Sequence, residues 1–299
     1  MTAITELERR FAVPGTVSFN QDSAGLPRVA VANAHAAAEI SLVGAQVASF
    51  VPRGQRDLLW WTSAGTFDPG SMFRGGIPIC WPWFSANPGK PFHGFARHQP
   101  WTLDRIDQGP DGTSLILSLD QTQAEKWWPH PFTLTCTIAV GSALEIRLET
   151  INRDVVPVRY REAFHTYFSV SDVRRVGVDE LDGQRFLDNT RSLRPFLQDA
   201  PRLAIAGPID RVYTGHTGRC AIIDPAFDRR IVIEKSGSVT TVVWNPGEVG
   251  ARHPDFCDER DWARMLCVET ANAVDASIDL DPGEAHTMAS RFWAEPISR

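Results

Sequence analysis

The chain has 299 residues, of which 43% are apolar and 22% are charged, and its formal net charge is −6. These values are typical of a globular protein, and no apolar run is long enough to predict a membrane span. The basic residues are dispersed rather than clustered, which argues against nucleic-acid binding and means that an anionic small molecule would need a local arginine site.

The cysteines predict a reducing compartment. There are five of them, an odd number, at the scattered positions 80, 136, 220, 257 and 267. This pattern does not suggest a disulfide framework, and the first ten residues lack the apolar core of a secretory signal. We therefore expect a cytoplasmic protein. No break in composition marks a linker, so we expect residues 1–299 to form a single domain, and we expect a monomer.

Period-2 alternation dominates the chain after a short predicted helix at residues 4–11, for which Thr5 is a candidate N-cap. Alternating leucines predict a strand around residues 115–119, and Phe132–Val140 and Leu144–Glu149 predict a hairpin that turns at Gly141. Further along, Arg230–Lys235 and Val239–Asn245 predict a second hairpin. Two more strands are expected at Met265–Glu269 and Thr287–Trp293.

Helical periodicity is almost absent, with about one further turn expected at Asp258–Trp262. The 21 prolines and 22 glycines punctuate short strands at the spacing typical of a sandwich or barrel. The pattern therefore predicts an all-β fold, a large antiparallel β-sandwich with few short helices.

A proline- and glycine-rich stretch at residues 73–97 predicts a pocket. Its four prolines exclude a regular helix, yet its many large apolar side chains resist exposure. A rigid, half-buried loop would satisfy both conditions and would present Arg74, His93 and Arg97 from an aromatic wall. That arrangement is typical of a small-molecule site.

Most catalytic chemistries lack their sequence signature. There is no H-x-x-x-H or C-x-x-C metal motif, no nucleophile elbow and no dinucleotide fingerprint. Acid–base chemistry remains, with His165 on the predicted strand Val158–Phe168 and Glu269 at the end of an apolar run. Each also has a simpler interpretation, because His165 could be a core histidine and Glu269 could serve a salt bridge.

Five motifs carry a family resemblance. In chain order they are FRGGIPICWPWF (73–84), HGFAR (93–97), EAFHTYF (162–168), IDRVY (209–213) and CVET (267–270). Together they resemble the aldose 1-epimerase superfamily, and more narrowly its glucose-6-phosphate 1-epimerase (hexose-6-phosphate mutarotase) branch, over about residues 35–293. The resemblance implies a large antiparallel sandwich of the galactose mutarotase-like type, which agrees with the alternation.

The resemblance also implies roles for the site residues. His165 would be the general acid that protonates the sugar ring oxygen, and Glu269 the general base that removes the anomeric hydroxyl proton. Arg74 and Arg97 would hold a sugar phosphate, with no cofactor and no metal. His93 and Asp210 would contact the sugar. The position before His93 is often polar in this family but is Phe92 here, which removes one potential hydrogen bond to the substrate.

Three functions therefore compete. The first is interconversion of the α and β anomers of hexose 6-phosphates, the second is a mutarotase for unphosphorylated aldoses, and the third is a catalytically silent sugar-binding module. The presence of both His165 and Glu269 disfavours the third. The aromatic residues Trp81, Trp83 and Phe84 could pack against a sugar or belong to the core, and the core is favoured.

Overall fold

The computed structural model describes residues 3–62, 74–119, 126–250 and 260–297. Within these ranges the chain forms two large β-sheets, a four-stranded sheet and a two-stranded ribbon, and every pairing between the strands is antiparallel. The prediction of a large antiparallel sandwich is confirmed.

The strands in the first half of the described chain are β1 (Val17–Gln21), β2 (Pro27–Ala32), β3 (Ala36–Ser41), β4 (Gln46–Pro52), β5 (Ile79–Cys80), β6 (Thr102–Gly109), β7 (Gly112–Leu119), β8 (Phe132–Val140), β9 (Leu144–Asn152), β10 (Val158–Tyr160), β11 (Glu162–Phe164) and β12 (Tyr167–Ser169). Those in the second half are β13 (Gly177–Asp179), β14 (Arg185–Asp188), β15 (Arg194–Leu197), β16 (Arg202–Ala204), β17 (Ile209–Thr214), β18 (Cys220–Asp224), β19 (Arg229–Ser236), β20 (Thr240–Asn245), β21 (Met265–Asn272), β22 (Ile278–Leu280) and β23 (Ala285–Pro296).

The two large sheets enclose the core. One has the strand order β16-β13-β18-β19-β23-β9-β8-β7-β6, and the other has the order β15-β14-β17-β20-β21-β11-β5, with β12 also paired to β21. In β8 every second side chain is buried, as the alternation predicts. Phe292 of the first sheet meets Phe168 of the second in an edge-to-face contact with ring centroids 5.1 Å apart.

Helices are few and short among the described residues. They are α1 (Ala3–Phe11), the four-residue α2 (Gly247–Gly250) and several 3₁₀ turns, one of them at Asp261–Arg264. The N-terminal helix is confirmed, but it already includes Ala3, so Thr5 lies within the helix and the prediction that Thr5 caps it is wrong. No helix in the described ranges is long and apolar enough to cross a membrane.

The predicted hairpin between residues 230 and 245 is wrong, although both of its strands exist. β19 pairs with β18 and β23 in the nine-stranded sheet, whereas β20 pairs with β17 and β21 in the other. The chain crosses between the sheets at Gly237, where φ is +64° and an added Cβ would lie 2.0 Å from the Thr287 carbonyl oxygen. Local alternation identifies a strand but cannot identify its partner.

The other strand predictions agree with the structure in part or in full. The hairpin of β8 and β9 is confirmed, as are strands at β7, β21 and β23. The predicted strand Val158–Phe168 is divided into β10, β11 and β12. Phe73, Cys257 and the start of the turn predicted at Asp258–Trp262 lie outside the described residues.

A polar cluster on the core side of β11 fixes this strand against β21. Glu162 is fully buried and lies opposite Asn272 in the strand register. The Nδ2 atom of Asn272 donates a 3.0 Å hydrogen bond to Oε1 of Glu162. The Nε2 atom of His286 lies 3.1 Å from the same Glu162 Oε1. A buried carboxylate needs such partners, so this cluster favours one register over its neighbours.

We predict that His286→Ala lowers the free energy of unfolding by about 2–3 kcal/mol at pH 6, because it leaves the Glu162 carboxylate without its counter-charge. The hydrogen bond to Glu162 raises the pKa of His286 above its ordinary value. Burial raises the pKa of Glu162 as well, so the ion pair stabilises the fold between the raised pKa of Glu162 and about pH 6.5 and is lost as the pH rises through the raised pKa of His286. Urea denaturation of wild type and variant at pH 6 and pH 9 measures the difference.

The matched control is His35→Ala, which removes a half-buried histidine whose Nε2 atom is hydrogen-bonded to an uncharged group, the Pro110 carbonyl oxygen. It should change the free energy of unfolding little at either pH. A loss in His286→Ala that is equally large at pH 6 and pH 9 would contradict the assigned charge on His286.

Candidate active site

The register of β21 brings a histidine and a glutamate together on one face of the eight-stranded sheet. The paired residues on either side are Phe164 with Thr270 and Tyr167 with Cys267. When this register is continued across the break between β11 and β12, His165 lies opposite Glu269. The Nε2 atom of His165 is 3.5 Å from Oε1 of Glu269. These groups are 104 residues apart in the chain (269 − 165) and meet because of strand pairing.

A cavity of about 500 Å³ opens above this pair. It is lined by residues from several widely separated segments of the chain: Arg74, Phe84, Ser85, Ala86, Phe92, His93, Arg161, His165, Asn189, Leu193, Asp210, Val212, Val242, Trp244, Glu269, Val274 and Asp275. The volume is suited to a ligand the size of a sugar phosphate. Of the residues that the sequence singled out, Arg74, His93, His165, Asp210 and Glu269 line this cavity.

Arg97 is the exception among the predicted site residues. It lies in the 3₁₀ turn Ala96–His98, is only 6% exposed and is not among the residues that line the cavity. Its positive charge nevertheless acts on the site, since it lowers the pKa values of both His93 and His165. Arg97 is therefore an electrostatic neighbour of the pair rather than a wall residue.

The backbone around His93 fixes its orientation and its protonation state. His93 adopts a positive φ of 61°, and the next residue, Gly94, packs so tightly that an added Cβ would lie 2.0 Å from the Trp81 carbonyl oxygen. The Nδ1 atom of His93 accepts a 3.0 Å hydrogen bond from the Ser85 amide. Burial, with the nearby His165 and arginines, lowers the pKa of His93 well below its ordinary value, so the ring is neutral. Its proton then resides on Nε2, which can act as a donor.

A second polar wall is formed by Asp210 and Asn189. The Nδ2 atom of Asn189 donates a 2.7 Å hydrogen bond to Asp210 Oδ2, which leaves the other carboxylate oxygen for a ligand. Burial raises the pKa of Asp210. Trp244 of β20 lies opposite Asp210 of β17 in the strand register. The Arg74 guanidinium stacks on the Trp244 ring, 5.4 Å from its centre. This stacking orients Arg74 towards the cavity.

Burial shifts the pKa values of the central pair in opposite directions. His165 is 6% exposed and Glu269 is 2% exposed. Burial lowers the pKa of His165 to about 3, and the charges of Arg97 and Arg74 act in the same direction. Burial also raises the pKa of Glu269 well above its usual value, helped by the negative charge of Asp210. The imidazolium is thus a stronger acid and the carboxylate a stronger base than in water.

The aromatic residues of the proline-rich stretch divide between core and cavity. Trp81 is fully buried and Trp83 nearly so, and both belong to the hydrophobic core, as the sequence favoured. Phe84 instead lines the cavity and packs against His93, with ring centroids 4.8 Å apart. Phe92 is 41% exposed at the mouth of the cavity and contacts the other side of His93 at 4.0 Å. Phe84 is half-buried and also packs against a buried apolar cluster, so the prediction of core packing holds for it in part.

Several cavity residues were not identified from the sequence, among them Asn189, Trp244 and Arg161. Asn189, Trp244 and Arg161 occur in no motif, although Arg161 belongs to the predicted strand Val158–Phe168. Arg161 is exposed and binds Ser277 Oγ, but it also reaches the rim of the cavity. One signal could have identified Arg161. It lies four positions before His165, and residues an even number of positions apart on a strand share a face.

Cys267 adds a third chemical group beside the pair. Its Sγ atom and the ligand atoms of His165 and Glu269 lie within 4.8 Å of one another, and all three residues are buried. A metal motif was not visible in the sequence because Cys267 and Glu269 are only two residues apart on a strand and His165 comes from another strand. The three groups form a potential metal-binding set.

Comparisons with known proteins agree with this geometry. The aldose 1-epimerase family pattern matches residues 27–293. A protein of Escherichia coli K12, provisionally named a glucose-6-phosphate 1-epimerase, is 35% identical over 239 residues, which cover 79% of this chain and 80% of the relative. A similarly named protein of Cenchrus ciliaris is 35% identical over 272 residues, covering 87% and 82%.

The fold has close counterparts among solved structures. The crystal structure of a provisionally named mutarotase from Salmonella typhimurium matches with a TM-score of 0.89 at 29% identity, and the match covers 99% of this chain and 100% of that chain. The family pattern covers most of the sequence, and both of the relatives described above exceed 30% identity over most of their length. This chain therefore belongs to the aldose 1-epimerase family of enzymes.

Proposed function

We propose that the protein interconverts the α and β anomers of hexose 6-phosphates, glucose 6-phosphate among them, by cofactor-free acid–base opening and closure of the sugar ring. One observation carries this proposal: His165 and Glu269 lie 3.5 Å apart at a cavity whose wall also carries Arg74. The names of the relatives support the same substrate class.

The reaction needs two proton transfers and no redox partner. Glu269 takes the proton from the anomeric hydroxyl group while His165 donates one to the ring oxygen. The bond between C1 and the ring oxygen breaks, its electron pair stays on that oxygen, and C1 becomes an aldehyde carbon. Rotation about the C1–C2 bond presents the other face of the aldehyde. The reverse transfers then close the ring and restore both side chains.

The separation of the pair suits this chemistry. The anomeric oxygen and the ring oxygen are bonded to the same carbon, so the acid and the base that act on them must lie close together. Side chains 3.5 Å apart on adjacent strands can each reach one of these oxygens. Because the strands hold both groups in place, little orientational entropy is lost in the transition state.

Burial prepares the pair for proton transfer. A lowered pKa makes protonated His165 a better donor, and a raised pKa makes ionised Glu269 a better acceptor. Each well-placed acid or base typically contributes about 10²–10⁴-fold to the rate. Concerted transfer also avoids a full charge on either sugar oxygen.

The phosphate group would be held on the arginine side of the cavity. Arg74 lines the wall, and Arg97 lies close enough to affect the pKa of His165. A phosphate of charge about −1.5 to −2 would offset these two positive charges. It would thereby raise the pKa of His165 in the complex and favour the protonated acid. Recognition of the phosphate and activation of the acid are then parts of one electrostatic effect.

The remaining walls would orient the sugar. The His93 Nε2–H group and the Asp210 carboxylate provide one donor and one acceptor for ring hydroxyl groups. Val212, Val242 and Phe84 offer apolar surface to the C–H faces of the ring. Phe92 would contribute apolar contact at the mouth rather than a hydrogen bond.

The proposal also places the enzyme in the cytoplasm as a monomer. The four described cysteines, Cys80, Cys136, Cys220 and Cys267, are all buried free thiols. A reducing compartment preserves such thiols, which supports this location.

We predict that the enzyme accelerates anomerisation of glucose 6-phosphate at least about tenfold more efficiently than that of glucose, and that Arg74→Ala removes most of this preference. The loss of a charge-assisted phosphate contact of about 1.5–3 kcal/mol corresponds to roughly 10–150-fold in kcat/KM. Magnetisation-exchange NMR between the two anomers measures both substrates under the same conditions.

The control for this experiment is Arg159→Ala, which removes an exposed arginine paired with Asp279 outside the cavity. It should leave both rates unchanged. Equal efficiency for the two substrates in the wild type would favour a mutarotase for unphosphorylated aldoses, and no acceleration of either would favour a silent sugar-binding module.

We predict that Glu269→Gln lowers kcat by about 10²–10⁴-fold while glucose 6-phosphate still binds, because the amide fills the same space but cannot accept the proton. The variant should be at least as stable as the wild type, since Glu269 Oε2 is buried without a hydrogen-bond partner in the described part of the chain. Exchange NMR, calorimetric binding and thermal unfolding test the three statements. Turnover close to that of the wild type would exclude Glu269 as the base.

We predict that His165 in the unliganded enzyme stays neutral down to about pH 5, because burial and two arginines lower its pKa to about 3. His286 is the internal control, since its pKa is raised and it should titrate above about pH 6.5. Ring ¹⁵N chemical shifts, assigned through single histidine substitutions, follow both groups. A His165 midpoint near 6.5 would contradict the proposed electrostatics.

A further inference from the structure

The cluster of His165, Cys267 and Glu269 has a geometry that the proposed reaction does not use. Ring opening requires the imidazole and the carboxylate, whereas the thiol of Cys267 takes no part in it. We propose that these three residues form an inhibitory binding site for a thiophilic divalent metal ion, such as Zn²⁺ or Cd²⁺, which blocks the acid–base pair when it is bound.

The strands set the three ligands in a triangle. Cys267 and Glu269 alternate on one face of β21, and His165 lies opposite Glu269 on the neighbouring strand. Tetrahedral zinc holds nitrogen, oxygen and sulfur ligand atoms roughly 3.4–3.6 Å apart, given bond lengths of about 2.0–2.3 Å. The His165–Glu269 distance is already 3.5 Å, and all three ligand atoms lie within 4.8 Å of one another. A sulfur displacement of roughly 1 Å would complete the three-ligand set.

Within the described ranges, two polar atoms of the acid–base pair are buried without a partner. Among the described residues, Glu269 Oε2 and His165 Nδ1 are buried and make no hydrogen bond. Most buried polar atoms are paired, so an unpaired carboxylate oxygen beside an imidazole and a thiol indicates a place where a ligand is accommodated. The cavity above the pair gives an ion a route in and leaves its fourth coordination position to water.

Charge selects the class of ion. The positive charges of Arg74 and Arg97 act on the same site. They repel a bound cation unless negatively charged ligands neutralise it. When the ion binds, the thiol proton leaves to solvent and the thiolate, the carboxylate and the imidazole each donate an electron pair, so no group is oxidised or reduced. The negative charges of the Cys267 thiolate and the Glu269 carboxylate then neutralise the divalent ion. Mg²⁺ and Ca²⁺ need several oxygen ligands and do not match this set.

Metal binding and catalysis would exclude each other. A coordinated His165 Nε2 cannot donate its proton, and a coordinated Glu269 cannot accept one. Because the ion would lie at the base of the sugar site, it should raise the KM for glucose 6-phosphate without lowering kcat at saturation.

The test is a titration of the metal-free enzyme with Cd²⁺ in the absence of sugar, followed through the ultraviolet charge-transfer absorption of a cadmium thiolate. The wild type and Cys80→Ala should develop this band, while Cys267→Ala should not. Cys80 is the matched control because it is equally buried on the same sheet and is not one of the three ligands. A band that is absent from the wild type, or that persists in Cys267→Ala, would overturn the proposal.

The Cd²⁺ affinity of a second variant gives a readout that does not depend on the stability of Cys267→Ala. Glu269→Gln preserves the shape of the site but removes one anionic ligand, so it should weaken Cd²⁺ binding by at least about tenfold. Unchanged affinity would contradict the proposed ligand set. Millimolar Mg²⁺ should neither produce inhibition nor displace Cd²⁺, and displacement by Mg²⁺ would exclude the thiolate as a ligand. The cadmium band is read without substrate, so its absence is distinguishable from a failure of the proposed function.

Discussion

The antiparallel pairing of β21 with β11 and β12 is the constraint on which the site depends. A single register sets His165 opposite Glu269, and a shift of one residue would turn one of these side chains to the core face. The same register pairs Glu162 with Asn272 on the core side. The polar cluster in the core and the acid–base pair in the cavity therefore depend on the same alignment of strands.

Burial has opposite effects on function and on stability. It raises the pKa of Glu269 and lowers that of His165, which strengthens both as proton-transfer groups. The same desolvation destabilises the folded state, because a buried carboxylate with an unpaired oxygen has lost its hydration. The extensive apolar contacts between the two large sheets offset this cost. Active sites commonly show such a conflict between local stability and chemistry.

The fold class was predictable because alternation is a local property. β7, β8 and β9 bury every second residue, and each was visible as a strand in the sequence. Pairing is not local, and for that reason β19 and β20 were mistaken for a hairpin although they belong to different sheets. Gly237 lies between these two strands, and its lack of a Cβ permits the close contact with the β23 backbone at which the chain crosses.

The site was predictable where a motif marked it and not elsewhere. Arg74, His93, His165, Asp210 and Glu269 lie in motifs and line one cavity. Asn189 and Trp244 reach the cavity only through the tertiary arrangement of their turn and strand, which leaves no local trace, whereas Arg161 shares a predicted strand face with His165. Similarly, the distance of Cys267 from the pair follows from strand pairing, and the burial of Arg97 follows from the packing of its turn.

The most direct test of the account is a crystal structure of the enzyme with glucose 6-phosphate bound. The account predicts that the ring oxygen and the anomeric oxygen lie within hydrogen-bond distance of His165 Nε2 and the Glu269 carboxylate respectively, with the phosphate on the Arg74 side of the cavity. A sugar bound with its anomeric carbon away from this pair, or a phosphate that contacts the pair itself, would contradict the account.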